Sequence, residues 1–478
     1  MSNPTLSLSE LRSQGRKPET PFQARSADGD IITMSRLLRV LPGKRFVGEA
    51  RWRDRLVLAK LFVARSGGRH WARERQGLDL LHDAGLPTPD TVGAGRLDGG
   101  GYFLLTEFLD DSLTLAERWS AVEALPSGDP QALDILRPAF ALIGRLHAAG
   151  LVHTDLHLGN FLEHGGTLFL IDGDGIRRVR GSEGEQTRQA LNNLALLTAQ
   201  LPLAWDYCMD ALVVAYTSEQ ARWNPDREIL LQAVGQARAR RLAHFLGKTL
   251  RDCSQFAVRH TASLFSSLVR EEQELLSALL DAPDAAIAQG ALLKDGNTCT
   301  VARVDVDRRA LVVKRYNLKS PLHALSRCWR PSRAWHAWRA GHCLAFYGIS
   351  TPAPLALIEE RVGPLRRRAF LVTEFCPGND LLRHLSPGRE PDAAEAAAIT
   401  TFFDLLFRLR ITHGDMKAEN FLWHDKRLVV IDLDSMIQHN SAIAFARAWG
   451  SDRARFLRNW PADSMLCRWL DAHLPKAR

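Results

Sequence analysis

Asp155 is followed five residues later by Asn160, then by the apolar run Leu168-Phe169-Leu170-Ile171 and by Asp172. The same order returns as Asp415, Asn420, Leu428-Val429-Val430-Ile431 and Asp432, each polar residue lying 260 positions after its counterpart. That offset is far too long for a solenoid repeat and suits a duplicated domain. An Asp, an Asn five residues on and an Asp closing a buried strand are the polar groups that phosphoryl transfer calls for. The chemistry written twice in this chain is therefore the passage of a phosphoryl group to an acceptor.

Transfer from ATP needs a group that orients the acceptor hydroxyl, ligands for Mg²⁺ and a cation on the phosphates. Asp155 and Asp415 suit the first role as catalytic residues. Asn160 and Asn420 offer neutral oxygens to a metal, and Asp172 and Asp432 offer carboxylates that bridge metal and phosphates. Lys60 closes the apolar strand Leu56-Val57-Leu58-Ala59, and Lys314 closes Ala310-Leu311-Val312-Val313; both suit the phosphate-pairing lysine. Matching tripeptides, Thr106-Glu107-Phe108 and Thr373-Glu374-Phe375, end a later strand and assign Glu107, Phe108, Glu374 and Phe375 to the nucleotide. One Asp-x4-Asn is commonly an Asx turn. Two copies, each with its upstream lysine strand and its downstream Asp, are not.

Neighbouring residues carry less specific signals. His153 and His413 read as structural groups bonded to backbone beside the metal Asp rather than as proton carriers. Asp174 and Asp434 read either as second metal ligands or as solvated loop acids. Gly43 and Gly296 are single glycines where a protein-kinase phosphate loop carries three, so a hairpin turn explains them equally well.

The two halves differ at one position. Glu74 lies 13 residues before Pro87 on a helical stretch and can pair with Lys60. Aligning the turns Gly85-Leu86-Pro87-Thr88-Pro89 and Gly348-Ile349-Ser350-Thr351-Pro352 puts Ala337 there in the second half. No Asp or Glu occurs between Asp307 and Glu359, so Lys314 is expected to lack a helical carboxylate. The second half is then either active by a variant arrangement or partly degenerate.

Buried β runs followed by helices and the Asp-to-Asn loop predict an α+β architecture of two tandem bilobal, protein-kinase-like domains. The expected layout is a flexible polar tail over 1–30, a first domain over 31–255 and a second over 256–478, with 185–280 mainly helical. No apolar run approaches 18 residues, and the N-terminus lacks the apolar core of a secretory signal, so neither a spanning helix nor export is expected. Seven cysteines with no CxxC pair suit reduced thiols in a cytosol. A formal charge of +8 favours an anionic partner. Within the acid-free window, Arg308, Arg309, Lys314, Arg315, Lys319, Arg327, Arg330, Arg333 and Arg339 interleave with Trp329, Trp335 and Trp338. That pattern suits an anionic membrane interface or a phosphorylated glycolipid, or else a helix packing its tryptophans on the lobe. No nucleic-acid-binding module accompanies the charge.

The stretches from His153 through Asp172 and from His413 through Asp432, with the two Gly-x-x-Thr-Pro turns, resemble the bacterial lipopolysaccharide kinase (Kdo/WaaP) family, present twice. The pattern is shared with aminoglycoside and choline phosphotransferases. The resemblance implies ATP- and Mg²⁺-dependent phosphorylation of a heptose or Kdo hydroxyl of the lipopolysaccharide inner core. It also implies a cytoplasmic enzyme, peripheral on the inner face of the inner membrane, with core lipopolysaccharide and other core-assembly enzymes as partners. No A-P-E segment follows either Asp and only 46 residues remain after Asp432, which disfavours a protein substrate. Two other readings stand beside it: a small-molecule kinase of the aminoglycoside or choline type, with an acidic acceptor pocket, and a pseudokinase scaffold for core assembly.

Overall fold

The computed structural model describes residues 3–219, 223–317 and 328–477; Lys319 and Arg327 lie outside them. The chain divides into two compact units, residues 1–239 and 240–478. The division falls inside the helix Arg227–Lys248, earlier than the expected boundary at 255/256. Leu230, Ala233, Val234 and Ala237 from the start of this helix belong to the first unit's core, and Leu242 and Leu246 from its end belong to the second's.

The first unit opens on a six-stranded antiparallel sheet, in spatial order Phe22–Arg25, Ile31–Leu41, Arg45–Trp52, Arg55–Phe62, Tyr102–Glu107 and Thr91–Arg96. Side chains alternate across a strand. In Arg55–Phe62 this buries Val57, Ala59 and Leu61 in the sheet core and turns Leu58 and Lys60 to the opposite face. Within the stretch expected to be a flexible tail, the described residues form two regular elements. Leu8–Ser13 is a helix with a Ser7–Glu10 capping box that buries Leu8 and Leu11, and Phe22–Arg25 is the sheet's first strand. The helical lower lobe packs around Phe140, Ile143, Phe161, Leu194, Trp205 and Tyr216.

The second unit repeats this plan on a seven-stranded antiparallel sheet. Its order is Phe256–His260, Leu264–Val269, Pro354–Val362, Leu365–Glu374, Arg309–Tyr316, Cys299–Val306 and Ala291–Asp295. Five strands correspond between the units. The first unit extends that shared sheet with Phe22–Arg25 beyond the strand Ile31–Leu41. The second extends it at the other edge with the hairpin Phe256–His260/Leu264–Val269. This hairpin lies within the stretch expected to be mainly helical. Its strands are rich in Ser, Arg and Phe and lack a long apolar run, which hid them. The lower lobe packs around Phe402, Phe403, Phe421, Trp449 and Phe456.

The Arg/Trp window is largely absorbed by this fold. Trp338 is fully buried and donates its indole N–H to the Thr249 carbonyl at 3.3 Å. Arg309 pairs with Glu272 and Glu374, and Arg315 with Asp284. Arg339 lies over the Trp335 ring, and Trp329 stays exposed. The reading in which the tryptophans pack on the lobe accounts for most of the window.

Candidate active sites

Each unit holds a cleft between its sheet and its helical lobe. The Thr-Pro turns tie the two lobes together: Thr88 Oγ1 donates to the Leu170 carbonyl at 2.9 Å, and Thr351 Oγ1 to that of Val430 at 2.8 Å. One residue beyond those strands, Ile171 N–H and Ile431 N–H donate to the carbonyls of Asn160 and Asn420. The pairs Asn160/Asp172 and Asn420/Asp432 are thereby held side by side. Asp172 and Asp432 both adopt left-handed backbone, with φ of 74° and 61°. Few non-glycine residues sit there without surrounding structure to hold them.

In the first cleft Lys60 Nζ forms an ion pair with Glu74 Oε1, as the sequence suggested. Glu74 is completely buried on the helix Gly67–Asp83. Its Oε1 also accepts the Gly173 N–H at 3.1 Å, and Arg45 Nη1 lies 3.9 Å from its Oε2. Burial raises the Glu74 pKa, with Lys60 pulling it back. Burial also opposes ionisation of Asp172, but the charge of Lys60, the contact with Glu74 and the charge of Arg45 prevail and hold it at about 2. Asp172 Oδ1 is buried with no partner among the described residues. Asn160 Oδ1 accepts the His157 N–H at 2.8 Å and retains a second lone pair. One buried, unspent carboxylate oxygen beside an amide oxygen fits Mg²⁺, which binds through one or two carboxylates together with substrate phosphates. Asp155 is exposed.

The cavity here measures about 420 Å³ and is lined by Lys60, Glu107, Phe108, Asn160 and Asp172 among others. Arg36, Arg39 and Arg45 reach it from the sheet, and Asp110, Asp111 and Glu117 from the opposite rim. Gly43 sits in the tight turn between Ile31–Leu41 and Arg45–Trp52 with φ of 66°, a turn geometry that favours glycine.

Asp174 is held by the protein rather than left to solvent. It pairs with Arg73 Nε at 2.9 Å and His70 Nδ1 at 3.0 Å on the Glu74 helix. His153 is buried, and its Nε2 lies 3.1 Å from the Asp172 carbonyl; burial lowers its pKa. His413 Nε2 contacts the Ile431 carbonyl at 2.9 Å. Both histidines hold backbone, as read. Asn193 was not foreseen: its amide brackets the His153 backbone, accepting from N–H at 3.1 Å and donating to the carbonyl. Asp452 does similar work in the second unit, accepting from the N–H groups of His413 and Gly414. Nothing local in the sequence links these helical side chains to loops about forty residues away.

The second cleft, about 400 Å³, gathers Lys314, Glu374, Phe375, Asn420 and Asp432. Ala337 occupies the helical position of Glu74, as aligned. Lys314 is oriented instead by Asp432 Oδ1 at 2.6 Å and Asp434 Oδ2 at 3.0 Å. Asp434 Oδ1 also accepts from the Tyr316 hydroxyl at 2.6 Å. The acid read as a second metal ligand or a solvated loop residue is thus the lysine's partner. Asp415 Oδ1 is paired with Arg455 Nη1, and Lys417 Nζ lies 3.4 Å from Oδ2. The expected catalytic and metal-binding carboxylates of this cleft are therefore both engaged by cations. Asn420 donates to the Asp415 carbonyl at 2.8 Å. Glu374 carries Arg309, and Arg303 lies over the Phe375 ring.

A strand lysine, an Asp-to-Asn loop and a strand-ending Asp across a two-lobed cleft define a kinase of the protein-kinase-like fold, here in two tandem copies. The model of the lipopolysaccharide kinase (Kdo/WaaP) family matches residues 52–200 and again 285–449, and the chain belongs to that family. Among solved structures, it is similar to WaaP in complex with acyl carrier protein, with 22 % identity over 43 % of this chain and 88 % of that one and a TM-score of 0.34. It is also similar to a mutant of the PknI kinase domain of Mycobacterium tuberculosis, with 15 % identity over 43 % and 95 % and a TM-score of 0.28. No curated protein matches the sequence. No helix among the described residues is long and apolar enough to cross a membrane.

Proposed function

We propose that the first unit transfers the γ-phosphate of ATP to a heptose or Kdo hydroxyl of the lipopolysaccharide inner core, at the cytoplasmic face of the inner membrane. The observation that supports this reading is that Lys60, held from behind by the buried Glu74, lines one cavity together with Asn160 and Asp172. Lys60, fixed by Glu74, meets the nucleotide phosphates. Glu107 and Phe108 meet the nucleotide at the end of their strand. Asp172 and Asn160 would hold Mg²⁺, which would supply charge neutralisation on the triphosphate. Asp155 accepts the acceptor hydroxyl's proton as the oxygen attacks the γ-phosphorus and the bond to the bridging oxygen breaks, releasing ADP. Arg36, Arg39 and Arg45 give the cavity the positive wall that an anionic glycolipid acceptor calls for.

The net charge of +8 supports residence at an anionic membrane surface. Asp110, Asp111 and Glu117 on the opposite rim favour the second reading, an amine-bearing small-molecule acceptor. Phosphate transfer from labelled ATP decides between them, with dephosphorylated core lipopolysaccharide and aminoglycosides offered in parallel. Label in the core sugar alone supports the first reading, and label in the amine alone replaces it.

A further inference from the structure

The two clefts treat their strand-ending carboxylate in opposite ways. Asp172 Oδ1 is buried and unspent. Asp432 Oδ1 receives the Lys314 ammonium at 2.6 Å, and Asp434 Oδ2 receives the same ammonium at 3.0 Å. The other Asp434 oxygen takes the Tyr316 hydroxyl, and Arg333 Nη2, on the helix that carries Ala337, lies 3.6 Å from Oδ2. The carboxylate oxygen left unspent in the first cleft has as its counterpart, in the second, one already met by a protein cation. The residues present do not fit Mg²⁺ there.

The cavity itself is nonetheless intact. Its walls are Val301, Val312, Leu371, Leu422 and Ile431, with Thr373 at the end of the strand. A largely apolar cavity with a few polar groups among its walls suits a heteroaromatic ring. Lys294, on the exposed strand Ala291–Asp295, also lines the cavity and can face an anionic substituent.

We propose that the second unit binds an adenine-class nucleotide without a divalent cation, because Lys314, clamped across Asp432 and Asp434, occupies the carboxylates that would otherwise hold the metal. The inference goes beyond the catalytic reading of the first cleft, and its failure leaves that reading standing.

The test is calorimetric titration of the full chain carrying Asp172→Asn with the non-hydrolysable ATP analogue AMP-PNP, in EDTA and in excess MgCl₂. Hydrogen exchange under the same conditions locates the site. The expected result is one equivalent bound in EDTA, an affinity altered less than about threefold by Mg²⁺, and protection centred on residues 309–316 and 371–376. Lys314→Ala frees both acids and should make binding depend on Mg²⁺ by more than about tenfold. Absence of binding in EDTA, tightening of about tenfold or more by Mg²⁺ in the parent chain, or protection confined to the first unit would overturn the proposal. Should Lys314→Ala fail to fold, the titration and the exchange map decide alone.

Discussion

Gly77 and Gly173 meet so closely that a Cβ built on Gly77 would overlap the Gly173 carbonyl oxygen. A Cβ on Gly173 would in turn overlap the Glu74 carbonyl. The helix carrying Glu74 therefore rests directly on the loop carrying Asp172, backbone on backbone. That approach lets Gly173 N–H reach the Glu74 carboxylate at 3.1 Å. The second unit has Leu433 after its Asp, and its lysine is held from the loop rather than the helix.

Gly77→Ala should accordingly force the helix from the loop. Overpacking at a rigid contact costs about 1–3 kcal/mol, and Glu74 should shift with its helix. The expected outcome is a lower melting temperature together with reduced nucleotide affinity. An unshifted melting curve would show that the contact is slack.

Asp155→Asn removes a carboxylate that is exposed. Transfer should fall by about 10²–10⁴-fold, the usual worth of a general base, with nucleotide binding unchanged in the same preparation. Single-turnover transfer and equilibrium binding measure the two effects separately. Unchanged turnover would remove Asp155 from the chemistry.

Lys60→Met strands Glu74, a completely buried acid. Breaking a buried pair from one side costs about 3–5 kcal/mol. Burial already raises the Glu74 pKa, and without Lys60 it rises further above its unfolded value. The penalty is then full above the folded pKa and shrinks as pH falls through it, because the neutral acid tolerates burial. Melting temperatures of variant and parent should converge from pH 8 to pH 5. A constant gap would mean that Glu74 stays charged.

His147 ties catalytic-loop support to pH. Its Nδ1 contacts the Tyr216 hydroxyl at 2.9 Å and its Nε2 the Asn193 amide oxygen at 3.0 Å, the amide that also brackets the His153 backbone. Burial lowers its pKa to about 4, and that of His342 in the second unit to about 3. Between those values and about 6.5 the unfolded chain binds more protons, so stability falls as pH drops. Each histidine contributes a slope of up to about 1.4 kcal/mol per pH unit. His147→Gln should flatten that slope for the first unit's unfolding, followed by chemical denaturation from pH 6.5 to 4. An unaltered slope would place the titrating groups elsewhere.

Much of this protein was legible in its sequence, because the informative signals were local or repeated. The apolar run Leu56–Ala59 marked the strand that Lys60 closes, and helical spacing from Pro87 placed Glu74 in reach of it. The duplicated Asp-to-Asn order defined two kinase-like domains, and the matching Thr-Pro turns aligned them closely enough to expose Ala337. Tertiary structure alone decided which acid serves Lys314, since Asp434 lies 120 residues away and carries no local mark of the role. It alone decided that Arg455 clamps Asp415, that Asn193 and Asp452 hold the loops, and that residues 8–25 complete the first unit. The physical reason is the same in each case. Period and motif spacing are properties of a short window of chain, whereas an ion pair or a backbone contact between distant segments depends on where packing of the whole lobe brings them.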